Sequence, residues 1–258
     1  MHKTEIKRSA ITLLLSIFSF IIVYYFTVLI HEYSHSTMAW LFGYKENILN
    51  IDYGGWLLLH VDEAVSYDSI IAAGHGAQAA MIAISGITSN SIVFLLSIFL
   101  YKKPYILKSK ILLILFFWSL VVNMVPIVGY IPANTFTTHG DIGRFCVGLN
   151  ISTWWAFIIG TPLVAMGIIY IFRTAIIKLY AHLPIKTITG QSLYLLSALV
   201  VLFLLLFTHG QNPLSDQHAT AYSKAIAWVM IFAVPTVFIV CFPNREWVQQ
   251  KVAAYFHG

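Results

Sequence analysis

Apolar residues run in long stretches broken by short polar clusters over most of this 258-residue chain. Within the stretches they occupy every helical face, the pattern of helices surrounded by lipid or protein rather than of amphipathic surface helices. A helix needs roughly 20 such residues to cross a hydrocarbon core. Six spans are expected, at roughly 10–41, 69–101, 109–130, 150–180, 189–208 and 222–242. The first is too long for a signal's apolar region and no small-residue cleavage site follows it, so it is expected to be retained. The longest polar connection, about 43–68, contains two extended-looking runs, 48–53 and 56–61, flanking Gly54 and Gly55. Gly-Gly accepts the positive φ of a two-residue turn, so a small membrane-associated β-hairpin is expected there. An amphipathic loop lying on the bilayer surface is the alternative.

Composition agrees with the runs: 59% of residues are hydrophobic and 10% charged, against about 25% charged in soluble domains. The fold class expected is therefore an all-α polytopic membrane protein, and in a bacterium its bilayer would be the cell membrane. The formal charge of +5 reads as loop charge and not as a nucleic-acid surface, because basic residues in membrane proteins mark cytoplasmic connections. Threading the six spans with the N-terminus in the cytoplasm puts twelve cations on that side: Lys3, Lys7, Arg8, Lys102, Lys103, Lys108, Lys110, Arg173, Lys178, Lys186, Arg245 and Lys251. Lys45, Arg144 and Lys224 fall opposite. Both termini are accordingly expected in the cytoplasm. Cys146 and Cys241 form neither a C-x-x-C pair nor a disulfide framework and read as packing residues. Nothing in the sequence fixes an oligomeric state.

Candidate chemistry is concentrated late in the first span, at His31-Glu32-Tyr33-Ser34-His35. On a helix, residues four apart share a face, so His31 and His35 can grip one metal ion while Glu32 stands beside it as a general base. Ionisable groups inside a span cost several kcal/mol unless they meet a cavity or a partner, so three together call for a function. A polar helix end at the interface is the bland alternative. A catalytic zinc site usually takes three protein ligands. Asp141, between glycines in Gly140-Asp141-Ile142-Gly143-Arg144, is the first choice for the third, with His139 as competitor and an ordinary Asp141–Arg144 loop pair as the structural alternative. Gly74-His75-Gly76 alone reads as a close-packing point. His60, His182, His209 and His218 share no spacing and read as surface or interfacial residues.

This H-E-x-x-H resembles that of the site-2 protease family of intramembrane zinc metalloproteases. Ala73-Gly74-His75-Gly76-Ala77-Gln78 is similar to the family's alanine-glycine-proline-x-x-asparagine entry to its second core helix, with His75 for the proline and Gln78 for the asparagine. Asn123-Met124-Val125-Pro126 matches the asparagine-x-x-proline element that precedes the family's aspartate-glycine ligand. The three occur in the family's order over about residues 10–145. Asp141 departs from the pattern: it stands 15 residues after Pro126 (141 minus 126), and Ile142 separates it from Gly143.

The resemblance implies a three-span catalytic core over 1–148; the three further helices that hydropathy gives over 149–258 match no motif of the family, and the PDZ or CBS domains of some relatives are absent. It implies Zn2+ on His31, His35 and Asp141, Glu32 as base, and a transmembrane protein as substrate. It also implies Asn123, Gln78 and the hairpin at Gly54 and Gly55 as substrate-binding, Asn123 at the substrate backbone or the oxyanion. Two rival classes remain: a transporter or channel using these residues as an ion or proton path, and an inactive relative that binds substrate helices uncut. Many site-2 proteases cut near the cytoplasmic face, whereas the charge pattern puts His31 and His35 near the opposite one.

Overall fold

The computed structural model describes the backbone of residues 2–137, 140–185, 187–204, 214 and 219–257, and side chains within these from Ile11 to Tyr255. Among the described residues the structure is helical and contains no strand. In chain order the helices are α1 (His2–Leu41), α2 (Tyr67–Ala72), α3 (Gly76–Leu100), α4 (Pro104–Lys108) and α5 (Lys110–Val128). There follow α6 (Asp141–Leu149), α7 (Thr153–Tyr170), α8 (Ile176–His182), α9 (Ile188–Leu204), α10 (Ala221–Val240) and α11 (Glu246–His257).

Five helical segments are long and apolar enough to cross a membrane: Ile11–Leu41, Gly76–Leu100, Lys110–Ala133, Thr153–His182 and Ala221–Val240. This is the build of a polytopic membrane protein. The sixth expected span, 189–208, corresponds to α9, a shorter apolar helix of 17 residues, and its last part lies outside the described residues. The run 69–101 is not one helix, because Gly74 takes a φ of +84° and breaks it into α2 and α3.

Helix α5 is the central post. Of its most apolar window 67% is buried, against 17% to 39% for the other four spans. The outward faces of those four carry Leu14, Phe18, Ile22, Leu95, Phe99, Ile159, Met166, Val229 and Phe232, all exposed; only lipid is a suitable solvent for bands of this size. Where lipid surrounds a bundle, helices are joined by close backbone approach and by polar pairs. Trp118 Nε1 donates to Ser16 Oγ at 2.8 Å, joining α5 to α1, and the Ser97 and Ser119 hydroxyls meet at 2.7 Å between α3 and α5. A Cβ on Gly148 would lie 2.4 Å from the Gly76 carbonyl oxygen, and one on Gly76 2.4 Å from that of Gly148. The two glycines thus set α6 directly on α3.

The chain over 42–66 corrects the expected hairpin. The runs 48–53 and 56–61 form no ladder; a single antiparallel bridge joins Asp52 of the first to Asp62, one residue past the second, with N–H···O distances of 2.9 and 2.8 Å. Gly54 and Gly55 do take positive φ, at +58° and +106°. The turn nevertheless closes one step later, from Leu58 N to the Gly55 carbonyl at 3.1 Å, with Leu58 itself at φ 51°. Aspartate side chains take donors near the bridge: Asp52 Oδ1 accepts from Gly54 N and Asp62 Oδ1 from Ala64 N. Helix α1 takes the carbonyls, Tyr24 Oη donating to Leu57 O at 2.7 Å, Tyr25 Oη to Trp56 O, and Ser36 Oγ to Ile48 O at 2.7 Å.

Candidate metal centre

Three side chains from two helices converge beside α3. His31 and His35 project from one face of α1, and Asp141 occupies the first turn of α6. Asp141 Oδ2 lies 3.1 Å from His31 Nε2 and 3.3 Å from His35 Nε2, and the two Nε2 atoms are 3.1 Å apart. All three residues are buried. Arg144, the alternative partner of Asp141, instead lies 3.8 Å from Glu63 and over the Tyr67 ring at 4.2 Å.

Hydrogen bonding on the far side of each ring fixes what faces the centre. The Ile82 carbonyl can only accept, so His35 Nδ1, 2.7 Å away, carries the proton and its Nε2 a lone pair. The same logic runs to His31 through two amides. Asn123 Nδ2 donates to the Ser119 carbonyl at 2.9 Å, which leaves Asn123 Oδ1 to accept from Asn90 Nδ2 at 3.2 Å. Asn90 Nδ2 also donates to the Thr27 carbonyl at 3.2 Å, so Asn90 Oδ1 must accept from His31 Nδ1 at 2.7 Å. Two lone pairs and a carboxylate oxygen therefore face one another out of water.

Such a cluster repels itself unless a cation lies within it. Two observations fit a metal ion. Asp141 Oδ2 is buried and has no hydrogen-bond partner among the described residues. The surface of α3 opposite the cluster is Gly86, where a Cβ would come 2.3 Å from His35 Nε2 and 2.8 Å from His31 Nε2. A side chain there would occupy the space between the ligand atoms. The buried His31, His35 and Asp141 can thus hold a metal ion.

A cavity of about 140 Å³ opens beside the cluster, lined by Thr27, Val28, His31 and Glu32 of α1, by 58–61 of the loop, and by Val122, Val125, Pro126 and Gly129 of α5 and the turn after it. Glu32 faces this space and is not one of the three converging residues. Past α5 the helix widens into a π-turn, Gly129–Ala133, ending in an Asn134 N–H to Gly129 carbonyl bond of 3.0 Å. This puts Tyr130 flat on His31, ring centroids 5.5 Å apart and planes within 8°, and Asn134 in the cavity wall. Single π-turns recur beside functional sites.

The remaining sequence candidates lie elsewhere. Asn123 is fully buried, its amide engaged by Ser119 and Asn90, and it does not line the cavity. Gln78 Oε1 accepts from the Tyr44 hydroxyl, which also meets His75 Nδ1 at 2.7 Å, at the far end of α3 from Asn90. A Cβ on Gly54 would lie 2.2 Å from the His60 carbonyl oxygen, so Gly54 shapes the loop, while Gly55 faces open space. His139 lies outside the described residues, as do His209 and His218. His60, read from sequence as a surface or interfacial residue, is exposed and also stands in the cavity wall. Sequence reasoning missed Gly86 and Asn90. Their signal was a glycine and an amide four residues apart, on one face of an apolar run, where an unpaired amide is costly.

No family model, curated protein or solved structure matches this chain.

Proposed function

We propose that the chain is an intramembrane zinc metalloprotease of the site-2 protease type, cutting peptide bonds in or near transmembrane segments of other membrane proteins. The observation that carries this reading is the convergence of His31 Nε2, His35 Nε2 and Asp141 Oδ2 within 3.1–3.3 Å, beside a cavity that Glu32 faces. Tetrahedral zinc with bonds of about 2.0–2.1 Å sets its ligands about 3.3 Å apart, and a catalytic site leaves the fourth position for water. Bound there, zinc would polarise the scissile carbonyl and acidify that water.

The chain's own residues do the rest. Glu32 takes the proton of the attacking water and passes it to the leaving amine. Asn90 and the Ile82 carbonyl keep both imidazoles in the tautomer that presents Nε2. A substrate helix must unwind before attack, because its amides are bonded within the helix. The opened strand then lies along 58–61 of the loop, the loop segment in the cavity wall, with main-chain bonds giving affinity without sequence demand. Asn134, in the same wall, takes the substrate-facing part that the resemblance gave to Asn123. With α9 counted as a sixth crossing, the distribution of Lys and Arg favours both termini in the cytoplasm.

The test is a Glu32→Gln variant, purified in detergent beside wild type. It should keep its zinc and lose cleavage of a transmembrane reporter. Cleavage at wild-type rate would remove Glu32 as the base, and zinc-free wild type would remove the metalloprotease reading.

A further inference from the structure

Thr27 lies one helical turn before His31 and is 3% exposed, and its Oγ1 has no hydrogen-bond partner among the described residues although Thr27 forms part of the cavity wall. Its own carbonyl is fixed by Asn90 Nδ2. A buried hydroxyl left unpaired is unfavourable until a ligand bonds it. The wall is apolar at Val28, Leu58, Leu59, Val122, Val125 and Pro126 and polar at His31, Glu32, His60 and Asn134. The volume, about 140 Å³, is close to the roughly 150 Å³ in which an apolar protein cavity accepts benzene. It has room for one side chain of leucine to phenylalanine size.

We propose that this cavity is a side-chain subsite, resting on the metalloprotease reading above. It seats one apolar residue of the substrate, leucine to phenylalanine in size, next to the scissile bond. The Thr27 hydroxyl bonds the substrate main chain, whose groups are freed when the helix unwinds and which can be met by a group that both donates and accepts. The preferred substrate is then a transmembrane segment that presents a large apolar residue at its opened turn, and a glycine at that position is cut poorly.

Peptidyl hydroxamates test this without a substrate, because they anchor on the metal. Three probes are used, with alanine, leucine and 2-naphthylalanine side chains beside the hydroxamate, each titrated into the zinc-loaded full chain in detergent. Wild type should bind the leucine probe at least about tenfold more tightly than the alanine probe and should discriminate against the naphthyl probe. Thr27→Val should weaken the leucine probe about three- to tenfold, with recovery in Thr27→Ser. Val125→Ala should shift preference toward the naphthyl probe, a gain that misfolding cannot produce. Equal affinity for the three probes, or an order unchanged by Val125→Ala, overturns the subsite while leaving the metal reading intact. Failure of every hydroxamate to bind the zinc-loaded chain overturns both.

Discussion

Helix α1 is held in two different ways on its two sides. Toward α3 and α5, His31 ends in a run of buried amides, through Asn90 and Asn123 to the Ser119 carbonyl. Toward the loop 42–66, Tyr24 and Tyr25 hold main-chain carbonyls of Leu57 and Trp56, at part-buried and exposed positions. A buried amide that loses its partner finds no water, so the first network fixes one geometry. An exposed carbonyl held by one hydroxyl is bound less firmly, so the second is the more movable of the two. His31 is thereby held more firmly than the loop in the cavity wall.

Variants that separate the two sides should differ in what they lose. The largest effect is expected from Gly86→Ala, whose Cβ would lie 2.3 Å from His35 Nε2. Zinc content should fall below about a tenth of wild type, while helix content by circular dichroism stays the same, since alanine favours a helix more than glycine does. Normal zinc in this variant would remove the cradle. Next comes Asn90→Leu, which takes away the acceptor for His31 Nδ1 and should weaken metal affinity about 10- to 100-fold. Asn90→Asp supplies another acceptor and should stay within a few-fold of wild type; equal loss in both would mean that Asn90 serves packing only.

On the movable side, Gly54→Ala puts a Cβ 2.2 Å from the His60 carbonyl oxygen and must displace the loop. Cleavage should drop about tenfold with zinc unchanged, an order set by misplaced substrate contacts. Parallel loss of zinc would show that loop and metal site are one unit. The smallest effect belongs to Glu63→Gln, since its contact with Arg144 is 3.8 Å long and Arg144 is one-third exposed. Although Glu63 is buried, so long a contact to a partly exposed Arg144 is worth about 1 kcal/mol, and because glutamine keeps the side chain's size the melting temperature in detergent should move by no more than about 4 °C.

The same contrast governs what could be read from sequence. The convergence of His31 and His35 was legible because their spacing is a metal motif and their setting is an apolar run. Asp141 was legible by elimination, there being few acids near the spans. Gly86 and Asn90 are single residues whose meaning depends on which helix packs against them. The loop failed for a related reason: Gly54-Gly55 has the chemistry of a tight turn, but hydroxyls of Tyr24 and Tyr25, more than 30 positions away, decide where its carbonyls go. The break at Gly74 is likewise set by backbone conformation and not by hydropathy.

The central claim is that His31, His35 and Asp141 hold one zinc ion. The direct measurement is metal per chain by inductively coupled plasma mass spectrometry on detergent-purified wild type, Asp141→Ala and His139→Ala. About one zinc is expected in wild type and in His139→Ala, and a loss of at least half in Asp141→Ala. Full zinc in Asp141→Ala together with none in His139→Ala would contradict the account.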